Sequence, residues 1–494
     1  MKHILNTITA VALILSILLL SCSDNPAVRL RYEAEKMYFD AEKQLKEIQA
    51  FSRQLSASHV DQLYPAYSEC IEFCYNALDS IDATIYPVEH NELQYLTFQS
   101  SMRLSQLFFL VRQFDSSTTI SNRLLKEVPL KKPQLLPTCL NLGQTLQASG
   151  QWDSALTVYN FVIGEFYPPM DNLGELILPA FTLPRHVYRI VSTIGDSVTT
   201  ANEFNRAVAY YKKLADDHPS TKLFAAAHLT LADLYDETHQ WNLEIEALAT
   251  VADSSLPGFE NVLLRMADVY GGRLSKFDTA LAIYNNLLDG LEASDTTTAP
   301  TILFKICLVK MDQGKYEESR GIINRLKKNY PRFFASTPML QYTLAQSLEM
   351  EGKWQRAESE YSLLIEKYRG SDEAMMALLY MIDYLREKGR TTESMRWFQE
   401  AEKHYTEVAF RGTGTLAEAK AMFYRAELRR RNEEYQRSAD ILMELFNKFP
   451  ESEPGRKALL AAANLYRDEL KDQATSDSLM NVWKRYLPNA GSGL

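Results

Sequence analysis

The sequence predicts an all-α protein, a solenoid of about ten helical-hairpin repeats behind a helical N-terminal cap. Glycine and proline are sparse, with 19 and 18 in 494 residues, which disfavours a β-rich fold that needs many tight turns. A pattern of glycine, any residue, an aromatic residue, any two residues and a small residue recurs along most of the chain. Tyrosine and phenylalanine are plentiful, at 27 and 22, so we expect aromatic rings to fill much of the core.

One unit shows this pattern most clearly. Ala345 and Ala357 are small residues placed where the two helices of a hairpin would cross, so that the backbones can approach. Gly352 is predicted to adopt a positive φ and end the first helix. Trp354 is then predicted to begin the second helix, with Tyr361 on its buried stripe. A helical bundle also has apolar residues at such spacings, but it does not repeat a turn signature at a fixed phase.

Further copies of the pattern predict the other hairpins. The stronger copies contain Gly150 with Trp152, Phe277 with Ala280, Gly314 with Tyr316, and Tyr435 with Ser438. Weaker copies contain Phe108 with Phe114, Ala207 with Tyr211, Tyr235 with Trp241, Gly389 with Ser394, and Ala462 with Leu465. Second helices are predicted to stop before Pro129, Pro219, Pro331 and Pro450, since proline cannot donate a hydrogen bond within a helix.

These units resemble the 34-residue tetratricopeptide repeat, a pair of antiparallel helices. The resemblance implies a protein-binding role, with a concave groove lined by the first helices. The junction Phe449-Pro450-Glu451-Ser452, followed by Ala458, is similar to repeats in two groups of bacterial envelope proteins. One is the assembly lipoprotein of the outer-membrane β-barrel machinery, and the other is the cell-division coordinator that works beside the Tol-Pal system.

The N-terminus resembles a bacterial lipoprotein signal. Lys2 precedes an apolar stretch at 8–20, which is typical of a signal peptide and short for a membrane span. The stretch ends in Leu19-Leu20-Ser21-Cys22, which is similar to a lipobox and implies cleavage before Cys22 and lipidation of that residue. Ser23 after the cysteine fits delivery to the outer membrane. We therefore expect an outer-membrane lipoprotein, anchored through lipid and facing the periplasm.

The predicted domain organisation follows from these features. We expect a signal peptide at 1–21, the lipidated cysteine and a tether at 22–31, a helical cap at 32–97, the repeat array at 98–487 and a flexible tail at 488–494. The cap is predicted to contain helices over Tyr32–Leu55 and Gln62–Ile81. Insertions into the repeat are predicted near 167–184, which is rich in proline and leucine, and near 404–415, which contains Gly412 and Gly414.

Cysteine usage gives a separate prediction. An exported compartment permits disulfides, and Cys70 and Cys74 lie four residues apart on a predicted helix. That spacing does not readily close a bridge. We expect these two residues, with Cys139 and Cys307, to be small buried apolar side chains.

Composition and motifs argue against several function classes. The net charge of −10 disfavours nucleic-acid binding, which depends on clustered basic residues. The dense basic spot at Arg425 and Arg429–Arg431 alternates with acids and is interpreted as a solvated helix face. No P-loop, dinucleotide fingerprint, zinc-protease motif or nucleophile elbow occurs. We expect no enzyme activity, no metal site and no small-molecule cofactor.

The candidate partner-binding residues come from the resemblance, which implies contacts at first-helix positions two, five, nine and twelve. They form a groove that is apolar in two units and charged nearer the C-terminus. The alternative is that the apolar positions face an adjacent turn of the array. The candidates are Phe304, Leu308, Met311, Tyr342, Gln346, Glu349, Leu378, Ile382, Phe423 and Arg430.

The sequence thus predicts a membrane-anchored scaffold or assembly factor of the cell envelope, whose partners are envelope proteins. An alternative is a nutrient-binding lipoprotein subunit of an outer-membrane glycan transporter (SusD-like), since those proteins are also lipidated and contain such repeats. Their long loops, rich in glycine and tryptophan, find little counterpart in a chain with 19 glycines and five tryptophans.

Overall fold

The computed structural model describes residues 25–52, 55–171, 173–219, 221–252, 259–291 and 295–484. These residues form 23 α-helices, and the β-structure among them is an isolated antiparallel bridge between Met170 and Leu176. The predicted all-α class is confirmed. The chain divides between Val187 and Tyr188 into two compact units. Cys22 and the predicted signal peptide lie outside the described residues.

The helices follow one another with short connections. The first twelve are α1 (Pro26–Phe51), α2 (Ala57–Ser80), α3 (Pro87–Leu110), α4 (Phe114–Glu127), α5 (Lys132–Ala148), α6 (Trp152–Glu165), α7 (Leu178–Ile194), α8 (Ser197–Asp217), α9 (Lys222–Glu237), α10 (Trp241–Ala252), α11 (Phe259–Gly272) and α12 (Phe277–Asp289). The rest are α13 (Thr298–Asp312), α14 (Tyr316–Asn329), α15 (Pro331–Ser336), α16 (Pro338–Met350), α17 (Trp354–Lys367), α18 (Asp372–Glu387), α19 (Thr391–Arg411), α20 (Leu416–Arg431), α21 (Tyr435–Lys448), α22 (Glu453–Asp468) and α23 (Gln473–Lys484).

From α3 onward the described helices form ten consecutive pairs, with the short helix α15 inserted between two of them. On either side of α7, neighbouring helices pack along each other, and from α11 onward each first helix also contacts the first helix of the next pair. This is the packing expected when each hairpin buries its apolar side against the following one. The predicted helical-hairpin repeat of about ten units is confirmed.

The turn inside a hairpin needs one residue with left-handed backbone. Gly352 takes φ 76°, as predicted, and Gly314 takes φ 72°. Arg112, His239 and Glu433 hold the same position with φ of 64°, 59° and 59°. A side chain in this conformation costs about 1–2 kcal/mol, so the packing on both sides of these three turns holds the backbone in place. A search for glycine alone does not find these three turns, and the aromatic residues that follow them, Phe114, Trp241 and Tyr435, mark the hairpins in the sequence.

Aromatic residues mark where second helices begin, and prolines mark where they end. The first residue of the second helix is Phe114, Trp152, Trp241, Phe277, Tyr316, Trp354 or Tyr435 in seven of the pairs. Helices α4, α8, α14 and α21 each end two residues before a proline, as the sequence predicts. The repeat frame can therefore be placed on the structure from these two signals.

Small residues lie where the helices of a pair cross. Ala345 and Ala357 are both fully buried at this position. Where serine replaces alanine, its hydroxyl finds an acceptor on the first helix twelve residues earlier: the Ser394 Oγ donates to the Ile382 carbonyl oxygen at 3.1 Å. The Cys307 Sγ lies 3.0 Å from the Ser319 Oγ in the same way. Such a pairing satisfies a polar group that would be costly to bury alone.

Both predicted insertions are present. In the first, the described residues between Glu165 and Leu178 form an extra connection between α6 and α7, and α7 begins at Leu178 and includes Pro184. The segment near 404–415 extends α19 to Arg411, and the buried Tyr405 hydroxyl donates to the Met375 carbonyl oxygen at 2.8 Å. Helix α1 also runs over Pro26–Phe51 rather than Tyr32–Leu55. The two insertions account for the uneven spacing of the repeats at these places.

The four described cysteines are free and buried, as predicted. Burial raises the pKa of the Cys139 and Cys307 thiols to about 11, so both stay protonated near neutral pH. Cys70 and Cys74 pack in a core with Ala34 and Leu93. No helix among the described residues is long and apolar enough to cross a membrane.

Candidate partner-binding surface

The first helices from α11 to α22 form a continuous layer. Helix α11 contacts α13, α13 contacts α16, and the series continues through α18 and α20 to α22. We call the partly exposed side of α13, α16, α18 and α20 the first-helix surface. Its residues are described below in chain order.

Helix α13 presents an apolar section of this surface. Leu308 is 38% exposed, and Phe304 and Met311 are half-buried. Phe304 also packs against the core that contains Leu303 and Ile323. The three predicted residues are therefore accessible in part, and Leu308 is the most exposed of them.

Helix α16 places a carboxylate among tyrosines. Tyr342 and Gln346 are half-buried, and Glu349 follows them on the same side. The Tyr361 hydroxyl donates to the Glu349 Oε2 at 3.0 Å, and the Tyr380 hydroxyl donates to the Glu349 Oε1. Charge-assisted hydrogen bonds of this kind are about twice as strong as neutral ones, so they fix Glu349 and join α16 to α17 and α18.

The rings around Glu349 form an aromatic cluster, defined by Tyr342, Trp354, Tyr361, Tyr380 and Tyr384. The Tyr342 and Tyr361 ring centroids lie 5.6 Å apart, and the Trp354 and Tyr384 rings stack at 3.8 Å with an interplanar angle of 11°. Burial, followed by the nearby Glu349 carboxylate, raises the pKa of both Tyr361 and Tyr380. Both phenols therefore remain protonated donors at neutral pH.

Two of the residues predicted to line the groove, both on α18, are wrong. Leu378 and Ile382 are fully buried, so they do not line an open surface. The accessible positions fall one residue later in the frame set by Gly389: Met376 is 37% exposed, and Asp383 and Arg386 are partly exposed. Apolar residues occupy both sides of the first half of α18, because that helix packs on two neighbours. The apolar pattern alone therefore does not show which positions of α18 face the accessible side.

Helix α20 carries the charged section. Phe423 is half-buried, and the exposed Arg430 pairs with Glu427 at 3.0 Å. The Arg431 guanidinium bridges to Asp383 on α18 at 2.8 Å and to Glu427 at 2.7 Å. The surface thus changes from apolar and aromatic to ionic between α16 and α20.

The basic spot that includes Arg425 and Arg429 is wrongly predicted as a solvated face. The Glu402 carboxylate on α19 accepts from Arg425 at 2.9 Å and from Arg429 at 2.8 Å. Arg429 also contacts Glu434, whose pKa is lowered to about 2 by the Asn432 amide and by neighbouring arginines. We call these groups, with Arg431 and its partners, the ion-pair network. It joins α18, α19, α20 and α21.

A second group of charges was missed by sequence reasoning. Lys305 on α13 pairs with Asp268 on α11 at 2.7 Å, and the Tyr284 hydroxyl donates to the same carboxylate at 2.6 Å. Arg265 on α11 bridges Asp233 at 2.6 Å and the buried Glu244 at 2.8 Å. The turn before Phe277 contains one extra residue, which shifts the repeat position of Asp268 on α11. A register corrected for that residue would have identified Asp268.

Within the part of the chain that the structure describes, no set of three or more His, Cys, Asp or Glu groups is arranged to hold a metal ion. On the first-helix surface, Glu349 accepts from tyrosines, and Asp383 and Glu427 pair with arginines. The first-helix surface therefore combines exposed apolar area with hydrogen-bond donors and acceptors that are held in place.

The comparisons with known proteins agree with this description at the level of a single repeat. Residues 420–452 match the family model for the tetratricopeptide repeat, over α20 and α21. No curated protein sequence matches the chain.

Several solved structures are similar to the chain at low identity. A tetratricopeptide repeat protein from Parabacteroides merdae is 12% identical, covers 78% of this chain and 98% of its own, and has a TM-score of 0.29. Yeast Tom70 is 11% identical, covers 91% of both chains and has a TM-score of 0.35. The quorum sensor NprR from B. thuringiensis, in its apo form, is 13% identical, covers 72% of this chain and 99% of its own, and has a TM-score of 0.34.

The hairpin of α20 and α21 has the aromatic start, the small crossing residue and the terminal proline that recur in the other pairs. The chain is thus an all-α helical-hairpin repeat protein that contains a tetratricopeptide repeat at residues 420–452.

Proposed function

We propose that this protein is a membrane-anchored scaffold or assembly factor of the bacterial cell envelope, which binds segments of partner proteins along the first-helix surface. The observation that carries the proposal is the continuous layer of first helices from α11 to α22, whose partly exposed side is not covered by the second helices. A layer of this kind offers an extended site for a peptide segment.

The chemistry of the surface defines the segment it would accept. Leu308 and Met376 expose apolar area at 38% and 37%, and Tyr342 adds a half-buried ring between them. Arg386 and Arg430 are accessible at the other end. A fitting partner segment carries apolar side chains toward α13 and acidic side chains toward α20. Apolar burial supplies affinity, and the charges fix direction.

The anchor is proposed from the Leu19-Leu20-Ser21-Cys22 motif. Affinity capture from cross-linked envelopes, with the wild-type chain beside Cys22→Ala, tests the anchor and the partner together. The expected result is that the wild-type chain fractionates with the outer membrane and captures a discrete set of envelope proteins, whereas the variant is released. Equal fractionation of the two chains, with no captured protein, contradicts the proposal. That result would favour a small-molecule role, as in glycan-transporter subunits.

A titration with the captured partner tests the surface itself. The double variant Leu308→Asp with Met376→Asp places two charges on the first-helix surface, and we expect at least a tenfold loss of affinity. The matched control is Leu363→Asp with Met395→Asp, which changes two apolar residues of similar exposure, 43% and 51%, on second helices. Equal affinity of the two double variants would place the partner elsewhere on the protein.

A further inference from the structure

The outer face of α1 carries an unusual stripe of side chains. Ala27, Ala34, Ala41 and Leu45 are the buried residues of this helix and define its inner face. Five exposed residues lie on the opposite face at alternating steps of four and three residues. We call them the aromatic–lysine stripe: Tyr32, Lys36, Phe39, Lys43 and Lys46. At 3.6 residues per turn these five residues lie within about 40° of a common line.

The stripe has no partner in the described part of the chain. Tyr32 is 63% exposed and Phe39 is 66% exposed, which is unusual for rings in a helix whose inner face is packed. Lys36, Lys43 and Lys46 are exposed and form no ion pair with a described residue. Among the acids beside the stripe, Glu33 pairs with Arg29 and Glu35 pairs with Arg31, whereas Asp40 and Glu47 are exposed at its edges.

We propose that this aromatic–lysine stripe lies on an anionic lipid surface. Tyrosine and phenylalanine rings insert at the boundary between headgroups and acyl chains. Lysine side chains lay their methylene stems along that boundary and reach the lipid phosphates with their ammonium groups. The pattern therefore matches a helix that lies in the plane of a bilayer rather than one that spans it.

Two observations favour a membrane over a protein partner. A second copy of the stripe would bring three lysines against three lysines, which repel one another. In addition, only Ser23, Asp24 and Asn25 separate Cys22 from the first residue of α1. Four extended residue steps span roughly 14 Å, so a lipid on Cys22 would keep the start of α1 within that distance of the bilayer. This argument rests on the lipid anchor of the proposed function.

The test uses the full lipidated chain, reconstituted into vesicles that contain phosphatidylglycerol. p-Benzoylphenylalanine is introduced in place of Phe39, or in place of Phe410, which is an exposed aromatic residue of α19 at 82% and serves as the matched control. Illumination and mass spectrometry then identify what each site contacts. We expect phospholipid adducts at position 39, at least tenfold above those at position 410, and fewer in vesicles of phosphatidylcholine alone.

A charge variant separates the stripe from the anchor. Lys36→Glu with Lys43→Glu and Lys46→Glu should abolish most lipid adducts at position 39 while the chain still floats with the vesicles. The matched triple, Lys126→Glu with Lys222→Glu and Lys328→Glu, makes the same change in net charge and should leave the adducts unchanged.

The outcomes distinguish the two proposals. A chain that floats with vesicles but gives no lipid adduct at position 39 overturns the stripe's membrane contact and leaves the anchor intact. Protein adducts at position 39 in native envelopes, in place of lipid adducts, overturn it in favour of a docking surface for a partner. A chain that does not float with anionic vesicles overturns both.

Discussion

The aromatic cluster and the ion-pair network join consecutive hairpins through different kinds of interaction. Both join consecutive hairpins of one unit, the cluster between α16 and α18 and the network between α18 and α21. In the cluster, rings surround a single carboxylate, Glu349. In the network, arginines from α20 share the carboxylates of Asp383, Glu402 and Glu434.

This difference shows that the repeat frame specifies where hairpins meet but not whether aromatic packing or ion pairs join them. Stacked rings and buried hydroxyls depend little on salt, because their contacts are short and lie within the core. Ion pairs that remain partly exposed are screened by salt and titrate with pH. The two regions should therefore respond differently to the same perturbations, which four predictions make testable.

The largest effect is expected in the aromatic cluster. Tyr361 is fully buried, so Tyr361→Ala removes a ring from the core together with the hydrogen bond to Glu349. We expect a loss of about 3–5 kcal/mol in the free energy of unfolding, measured by urea denaturation followed by circular dichroism. Leu363→Ala on the same helix is 43% exposed and should cost about 0.5 kcal/mol or less. Similar losses for the two variants would show that the ring is not a core element.

In the ion-pair network, Arg431→Met leaves Asp383 and Glu427 without their bridging partner. Since the Arg431 side chain is 25% exposed, solvent screens the pair in part, and we expect a loss of about 1–2 kcal/mol at low salt. The loss should shrink when urea denaturation is repeated at high salt. Tyr361→Phe is the matched control from the aromatic cluster, and its loss should stay constant. A salt-independent loss for Arg431→Met would contradict the comparison.

A third pair of variants concerns the hairpin turns in the two regions. Gly352→Ala puts a side chain at φ 76° and should cost about 1 kcal/mol, although open space surrounds the position. Glu433→Gly, at φ 59°, relieves the corresponding strain beside the network, and the gain is offset in part by the greater freedom of glycine in the unfolded chain. We expect this variant to equal or slightly exceed the wild type in thermal stability. A large loss for Glu433→Gly would mean that the side chain has a role beyond the turn.

The smallest effect is a pH dependence of opposite sign at two carboxylates. Hydrogen bonds from Asn432 and Arg437 lower the pKa of Glu434 to about 2, so its contribution to stability is present above its unfolded pKa and is lost as pH falls from about 5 toward 2. Burial raises the pKa of Glu244, so its contribution is present at low pH and is lost as pH rises through its folded pKa.

The matched substitutions Glu434→Gln and Glu244→Gln check this by urea midpoints measured across pH. The first variant should lose less stability than the wild type on acidification. The second should gain relative to the wild type as pH rises. Parallel pH profiles for both variants and the wild type would contradict the assigned environments of the two carboxylates.

The candidate surface was predicted in part. The residues on α13 and α16 were placed by a clear turn signal, at Gly314 and Gly352, and they lie on the accessible side. On α18 the predicted residues Leu378 and Ile382 are buried, and the accessible positions fall one residue later in the repeat frame. A helix that packs on two sides has apolar residues on both, so its hydrophobic pattern does not indicate which side is exposed. Lipidation of Cys22 and the partner remain predictions.

By itself, the sequence determined the class of fold and the frame of the repeat. Glycines at turns, aromatic residues at the starts of second helices and prolines after their ends are local signals, and each acts on the backbone within a few residues. The tertiary structure decided what local signals do not contain: that Arg112, His239 and Glu433 adopt positive φ, that the basic residues of α20 interlock with α19, and that the segments near 178–194 and 404–411 are helical. For the basic residues the physical reason is explicit: Arg425 bonds Glu402, which lies 23 residues away along the chain on another hairpin, and a short local pattern cannot span that distance.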